Sequence, residues 1–169
     1  MQCAIAKIDP QSRERLCALQ KTAKRLGFSV GNLYGHITLA VYVGDQDDAF
    51  IASCKRIASC YKPFDVCYDQ IEVLSATSII VASPRNENEL QNLHHDIAAQ
   101  WGDCLDRWTG TDLWKPHTTL VYNPLNDLRP AAEAMKKKFV PFPARVETIE
   151  FSRVTGNGCQ IVDCIGLLP

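Results

Sequence analysis

The sequence predicts an α+β fold built as a duplicated lobe, bilobal with pseudo-twofold symmetry. Two antiparallel sheets are expected to face each other across a central cleft, with helices on the outside. Three observations predict this. The chain reads strand, helix, strand, helix, strand, and then runs through the same order again. Its helical segments carry apolar residues every three or four positions, whereas its strands alternate. One four-residue pattern, His-x-Thr-Leu, recurs in the third element of each half, beginning at His36 and at His117.

Residues 2–8 (Gln-Cys-Ala-Ile-Ala-Lys-Ile) alternate as a strand. Asp9-Pro10 opens a helix, with Pro in an early helical position. Leu16, Leu19, Ala23 and Leu26 follow at helical spacing, and Gly27 ends the helix. Residues 36–43 form a strand, and residues 45–61 a helix whose acidic start, Asp45, Asp47 and Asp48, complements the positive end of its dipole. Residues 64–74 complete the first half as a strand.

The second half starts with a strand at 78–83 and a helix at 86–107, with Leu90, Leu93, Ile97, Trp101 and Leu105 on one face. A strand at 117–122, a helix at 127–139 and a strand at 144–154 follow. Gly156-Asn157-Gly158 then reads as a hairpin turn into a last strand at 159–166. The halves, about 1–75 and 76–169, meet without a Gly-, Pro- or Ser-rich linker, so one bilobal domain over 1–169 is expected.

Composition bounds the function. The 169 residues are 46% hydrophobic and 22% charged, which excludes a disordered chain, a collagen and a coiled coil. A net charge of −1 argues against long DNA or RNA and against an anionic membrane, but not against a small anionic ligand in a local pocket. No apolar run is long enough to span a membrane, and the N-terminus lacks the features of a signal peptide, so a cytoplasmic monomer is expected. The eight cysteines form no C-x-x-C pair and read as free thiols packed as small hydrophobes.

The chemistry lies in the repeated pattern. On a strand, residues i and i+2 share a face. His36 and Thr38 therefore point together, as do His117 and Thr119, with Ile37, Leu39 and Leu120 on the opposite face. Two such matches among four histidines have a chance of roughly 10⁻⁴ by composition.

Paired His-x-Thr motifs in a two-lobed α+β chain of this length resemble the two-histidine (2H) phosphoesterase superfamily, which includes the 2'-5' RNA ligases and cyclic nucleotide phosphodiesterases. The resemblance implies that His36 and His117 are catalytic and that Thr38 and Thr119 bind phosphate. It also implies that neither a cofactor nor a metal is needed. A histidine titrates near neutrality and serves as either acid or base, so two of them can divide those roles on one phosphodiester. The expected substrate is a small nucleotide or RNA end carrying a 2',3'-cyclic phosphate or a 2'-5' linkage. Two alternatives stay open: a phosphodiesterase acting on another cyclic or oligonucleotide-type molecule, and a non-catalytic nucleotide-binding module.

Further substrate-binding candidates flank the motifs. Lys115, two residues before His117, brings positive charge toward the cleft. Tyr34 and Tyr42 share the His36 face by strand parity, whereas the same parity turns Tyr122 away. Trp114 precedes the second motif on a loop, where it is placed to stack on a base. His94 and His95 read as surface residues, and Lys136-Lys137-Lys138 as a solvated helix end.

Overall fold

A computed structural model of the chain describes residues 1–30, 34–74, 77–85, 88–110, 112–122, 127–155 and 158–168. Gly156 and Asn157 of the expected turn, residues 75 and 76 of the expected junction and residues 86 and 87 at the expected start of the third helix lie outside the described residues.

The described residues form seven strands and four helices. In chain order these are β1 (Gln2–Ile8), α1 (Pro10–Arg25), β2 (His36–Tyr42), α2 (Asp47–Ala58), β3 (Phe64–Val73), β4 (Ile79–Pro84), α3 (Asn88–Trp101), β5 (Thr118–Tyr122), α4 (Arg129–Lys136), β6 (Phe142–Thr155) and β7 (Gly158–Gly166). Local chemistry explains the boundaries. Asp9 caps α1 by accepting a hydrogen bond from Ser12 N at 2.9 Å, Pro10 opens its first turn, and Gly27 follows its end at φ 85°. Replacing Asp9 with Ala would cost about 1 kcal/mol of helix stability.

The strand order is β2-β1-β6-β3-β4-β5, with β7 also on β6, and all pairs are antiparallel. The seven strands form one continuous sheet, in which the long strand β6 is common to two four-stranded sub-sheets. Its first residues pair with β3, and its later residues lie between β1 and β7. One sub-sheet is therefore β2-β1-β6-β7 and the other β5-β4-β3-β6. The third strand of each sequence half has crossed over: β3 pairs with β4 of the second half, and β6 pairs with β1 of the first. The divisions 1–75 and 76–169 thus do not each form one sheet.

The helices also exchange. Helices α1 and α4 pack on the β5-β4-β3 sheet, whereas α2 and α3 pack on β1 and β2. The apolar faces meet there: Leu16, Leu19 and Ala23 of α1, and Leu90, Leu93 and Ile97 of α3, are all buried. Each buried leucine contributes roughly 1.5–3 kcal/mol over an exposed one. No helix of the described residues is long and apolar enough to cross a membrane.

The third helix ends at Trp101, short of the expected 107. Beyond a 3-10 turn at Gly102–Cys104 the chain runs along the free edge of β2, with Val43 N donating to Cys104 O at 2.9 Å and Asp106 N to Val41 O at 2.7 Å. An unpaired strand edge needs partners, and this pairing wins over continued helix. All eight cysteines are free, but only Cys3 and Cys54 are buried; Cys17, Cys60, Cys104, Cys159 and Cys164 are exposed, contrary to the expected packing role.

Candidate active site

The two motifs occupy the two end strands of the sheet order, β2 and β5. In both, alternation separates chemistry from core. Ile37 and Leu39 are fully buried while His36 and Thr38 are half-buried, and Leu120 is buried while His117 and Thr119 are half-buried. A β-bulge then follows at equivalent places. Ala4 and Ile5 of β1 face Ala40 and Thr38, skipping Leu39; Ile80 and Val81 of β4 face Val121 and Thr119, skipping Leu120. An extra residue reverses the facing of everything after it.

The imidazoles are held alike. His36 Nδ1 donates to the Tyr34 carbonyl at 2.8 Å, and His117 Nδ1 to the Lys115 carbonyl at 2.7 Å. A carbonyl only accepts, so each Nδ1 carries hydrogen and each Nε2 is left to take or give a proton. Burial holds both imidazoles below the ordinary value of 6.5. The Tyr34 carbonyl and Glu150 oppose this for His36, while His117 adds to it. The Lys115 carbonyl and Glu72 oppose it for His117.

A buried hydroxyl chain ties the motifs together. Tyr68 donates to Thr118 Oγ1 at 2.5 Å, and Thr118 donates to the His36 carbonyl at 2.8 Å. Trp114 Nε1 donates to the Thr38 carbonyl at 2.9 Å, so the free edge of β2 is fastened to the segment leading into β5. Among the described residues the Thr38 and Thr119 hydroxyls have no protein partner, which leaves both free to bind a ligand.

Beside His117 opens a cavity of about 660 Å³, walled by Ile79, Trp108, Leu113 and Tyr122, with Glu72 and Lys115 at its polar side. Beside His36 the surroundings are polar. The Tyr34 ring packs on the imidazole at 5.1 Å between centroids, the Tyr34 hydroxyl donates to Glu150, and Lys7 pairs with Glu150 at 2.5 Å.

The model of the 2'-5' RNA ligase superfamily matches residues 8–158. The chain belongs to that superfamily. Among solved structures, Escherichia coli LigT complexed with NADP+ superimposes with a TM-score of 0.67 at 14% identity, covering 99% of this chain and 97% of LigT. A structure described as a phosphoesterase superimposes with a TM-score of 0.66 at 13% identity, covering 99% of this chain and 98% of that one. LigT complexed with 3'-AMP gives 0.65 at 12% identity, with coverages of 99% and 97%. No curated protein sequence matches this chain.

In this member of the 2'-5' RNA ligase superfamily, the expected residues divide sharply. His36 and Thr38 share the less buried face of β2, His117 and Thr119 share the less buried face at the start of β5, and Lys115 is exposed on the wall of the His117 cavity. Tyr34 sits against His36 with its hydroxyl spent on Glu150.

Tyr42 is corrected to a core residue. It is 1% exposed, stacks on Phe50 at 4.9 Å and accepts a hydrogen bond from Gln46 N. The bulge at Leu39 turned it inward, and the bulge at Leu120 turned Tyr122 outward into the cavity.

Trp114 is corrected likewise. Its ring stacks on His94 at 3.9 Å and its N–H is bound to β2, so it anchors the loop. His94 itself is buried rather than on the surface, donating through Nδ1 to the Leu39 carbonyl at 2.8 Å.

The residues that the sequence reading missed are Glu72, Trp108, Leu113 and Ile79. For the carboxylate no local pattern exists, because β3 reaches His117 only through the strand exchange.

Proposed function

We propose that this chain is a phosphoesterase that hydrolyses, and in reverse forms, an RNA-type phosphodiester in a small nucleotide or RNA end. The preferred bond is a 2',3'-cyclic phosphate or a 2'-5' linkage. The observation that carries the reading is the matched pair of imidazoles, each fixed through Nδ1 with Nε2 presented beside an unengaged threonine hydroxyl. One neutral imidazole takes a proton from water as the oxygen attacks phosphorus. The other, protonated, gives its proton to the departing ribose oxygen. Thr38 and Thr119 donate to the non-bridging oxygens and hold the group in line.

Membership of the superfamily supports this reaction class, and the nucleotides bound by LigT (NADP+, 3'-AMP and ATP) support a nucleotide ligand. The apolar wall of the His117 cavity suits a base or nucleoside, and a net charge of −1 favours a small ligand over long nucleic acid. The reaction is assigned to the protein's own acid and base, the two imidazoles held through Nδ1.

The test is an assay with EDTA present against the four 2',3'-cyclic nucleotides and a 2'-5'-linked dinucleotide. Turnover of at least one supports the reading. Saturable nucleotide binding without turnover of any would replace it with a binding module on the same fold.

A further inference from the structure

The strand exchange places a second pair of groups in symmetry-related positions. Across the first sheet, Thr38 faces Ile5 of β1, and Ile5 faces Glu150 of β6. Across the second, Thr119 faces Val81 of β4, and Val81 faces Glu72 of β3. Directly paired residues share a face, so each carboxylate lies on the site face of its sheet, in the row of its motif threonine. The carboxylates' own partners are also equivalent. Lys7 lies two residues beyond Ile5 and binds Glu150; Ser83 lies two residues beyond Val81 and donates to Glu72 at 3.0 Å.

The equivalence ends in charge. Glu150 has Lys7 at 2.5 Å and the Tyr34 hydroxyl, with the Arg13 guanidinium 5.9 Å from the Tyr34 ring. Glu72 has a serine where Glu150 has a lysine, and among the described residues no cation makes an ion pair with it. The charged and titratable groups around His117 are Glu72 from β3, Lys115 and Tyr122 from its own segment, and His36 of the other motif. Those around His36 are Tyr34, Glu150 from β6, Lys7 from β1, Arg13 from α1 and His117.

We propose that Glu72 is a positioning residue that makes His117 the proton donor of the pair, because Ser83 leaves its charge uncompensated where Lys7 neutralises that of Glu150. This rests on the phosphoesterase reading. His117 Nε2–H then delivers its proton to the leaving ribose oxygen as the P–O bond breaks. His36 Nε2 receives the proton of the water whose oxygen bonds to phosphorus. The products are one phosphomonoester and one free hydroxyl, and the two imidazoles return to their starting states by proton exchange with solvent. A carboxylate near an imidazole favours its protonated form, so removing the charge of Glu72, or placing a cation beside it, withdraws that support.

The test is an NMR titration of both imidazoles in the resting protein, for wild type, Glu72→Gln, Ser83→Lys and Lys7→Ser, with kcat/KM against pH measured on the same proteins. Glu72→Gln and Ser83→Lys should each lower the His117 titration by about one unit while moving His36 far less. The alkaline limb of the rate profile should move down by the same amount. Lys7→Ser should raise the His36 titration instead. Two variants bear on His117 independently, so misfolding of one leaves the other decisive. An unmoved His117 in both, or equal movement of both imidazoles, would overturn the proposal. Absence of turnover in wild type would overturn the phosphoesterase reading and with it the donor role, whereas the titration needs no substrate and reads the hold of Glu72 on His117 by itself.

Discussion

The Thr118 hydroxyl donates to the backbone carbonyl of His36 at 2.8 Å, so the second motif holds the first directly, between strands that are not neighbours in the sheet. Thr118 is the residue between His117 and Thr119 and faces away from the site, with Tyr68 donating to it from behind. The spacing of the two imidazoles therefore depends on a buried hydroxyl as well as on the sheet.

Thr118→Val should leave the His36 carbonyl and the Tyr68 hydroxyl without this partner inside the protein, costing about 1–3 kcal/mol of stability. Thr118→Ser keeps the hydroxyl and should recover both stability and kcat. Denaturant unfolding of the two variants checks this, and equal stability of Val and Ser variants would show that the chain carries no weight.

The pH dependence follows from burial. Both imidazoles are held below 6.5, and the reaction needs one neutral and one protonated. The population in that mixed state peaks between the two values, hence below 6.5, and falls as rising pH removes the proton from the acid. For a phosphodiester substrate, kcat/KM should be greatest below pH about 6.5 and decline through neutrality. A maximum above pH 7.5 would contradict this.

The two tyrosines that follow the motifs should behave oppositely. Tyr122→Ala and Trp108→Ala remove exposed walls of the cavity and should each raise KM roughly tenfold, the scale of one stacked base, with little change in Tm. Tyr42→Phe should leave KM unchanged and lose about 0.5–1.5 kcal/mol of stability with the bond from Gln46 N. Steady-state kinetics and thermal unfolding separate the two cases.

Much of this was legible in the sequence, and the rest was hidden for identifiable reasons. Period-two alternation was enough to place His36 with Thr38 and His117 with Thr119, because no bulge intervenes within either pair. Parity failed at Tyr42 and Tyr122 because the bulges fall one residue after each threonine, at Leu39 and Leu120, and nothing in a leucine marks a bulge. The element order was legible, but not the exchange of β3 and β6, since pairing partners far apart in sequence leave no local trace. Glu72 was unreadable on the same ground. Helix α3 stopped early because the edge of β2 competed for its backbone, a tertiary demand that periodicity does not contain.

The central claim is that both imidazoles act on one phosphodiester, and single-turnover hydrolysis by His36→Ala and His117→Ala tests it most directly, using whichever cyclic nucleotide the wild type turns over. Each variant should be slower by about 10²–10⁴-fold at unchanged fold and stability, the scale expected for removing an acid or a base. Full activity in either variant would contradict the account.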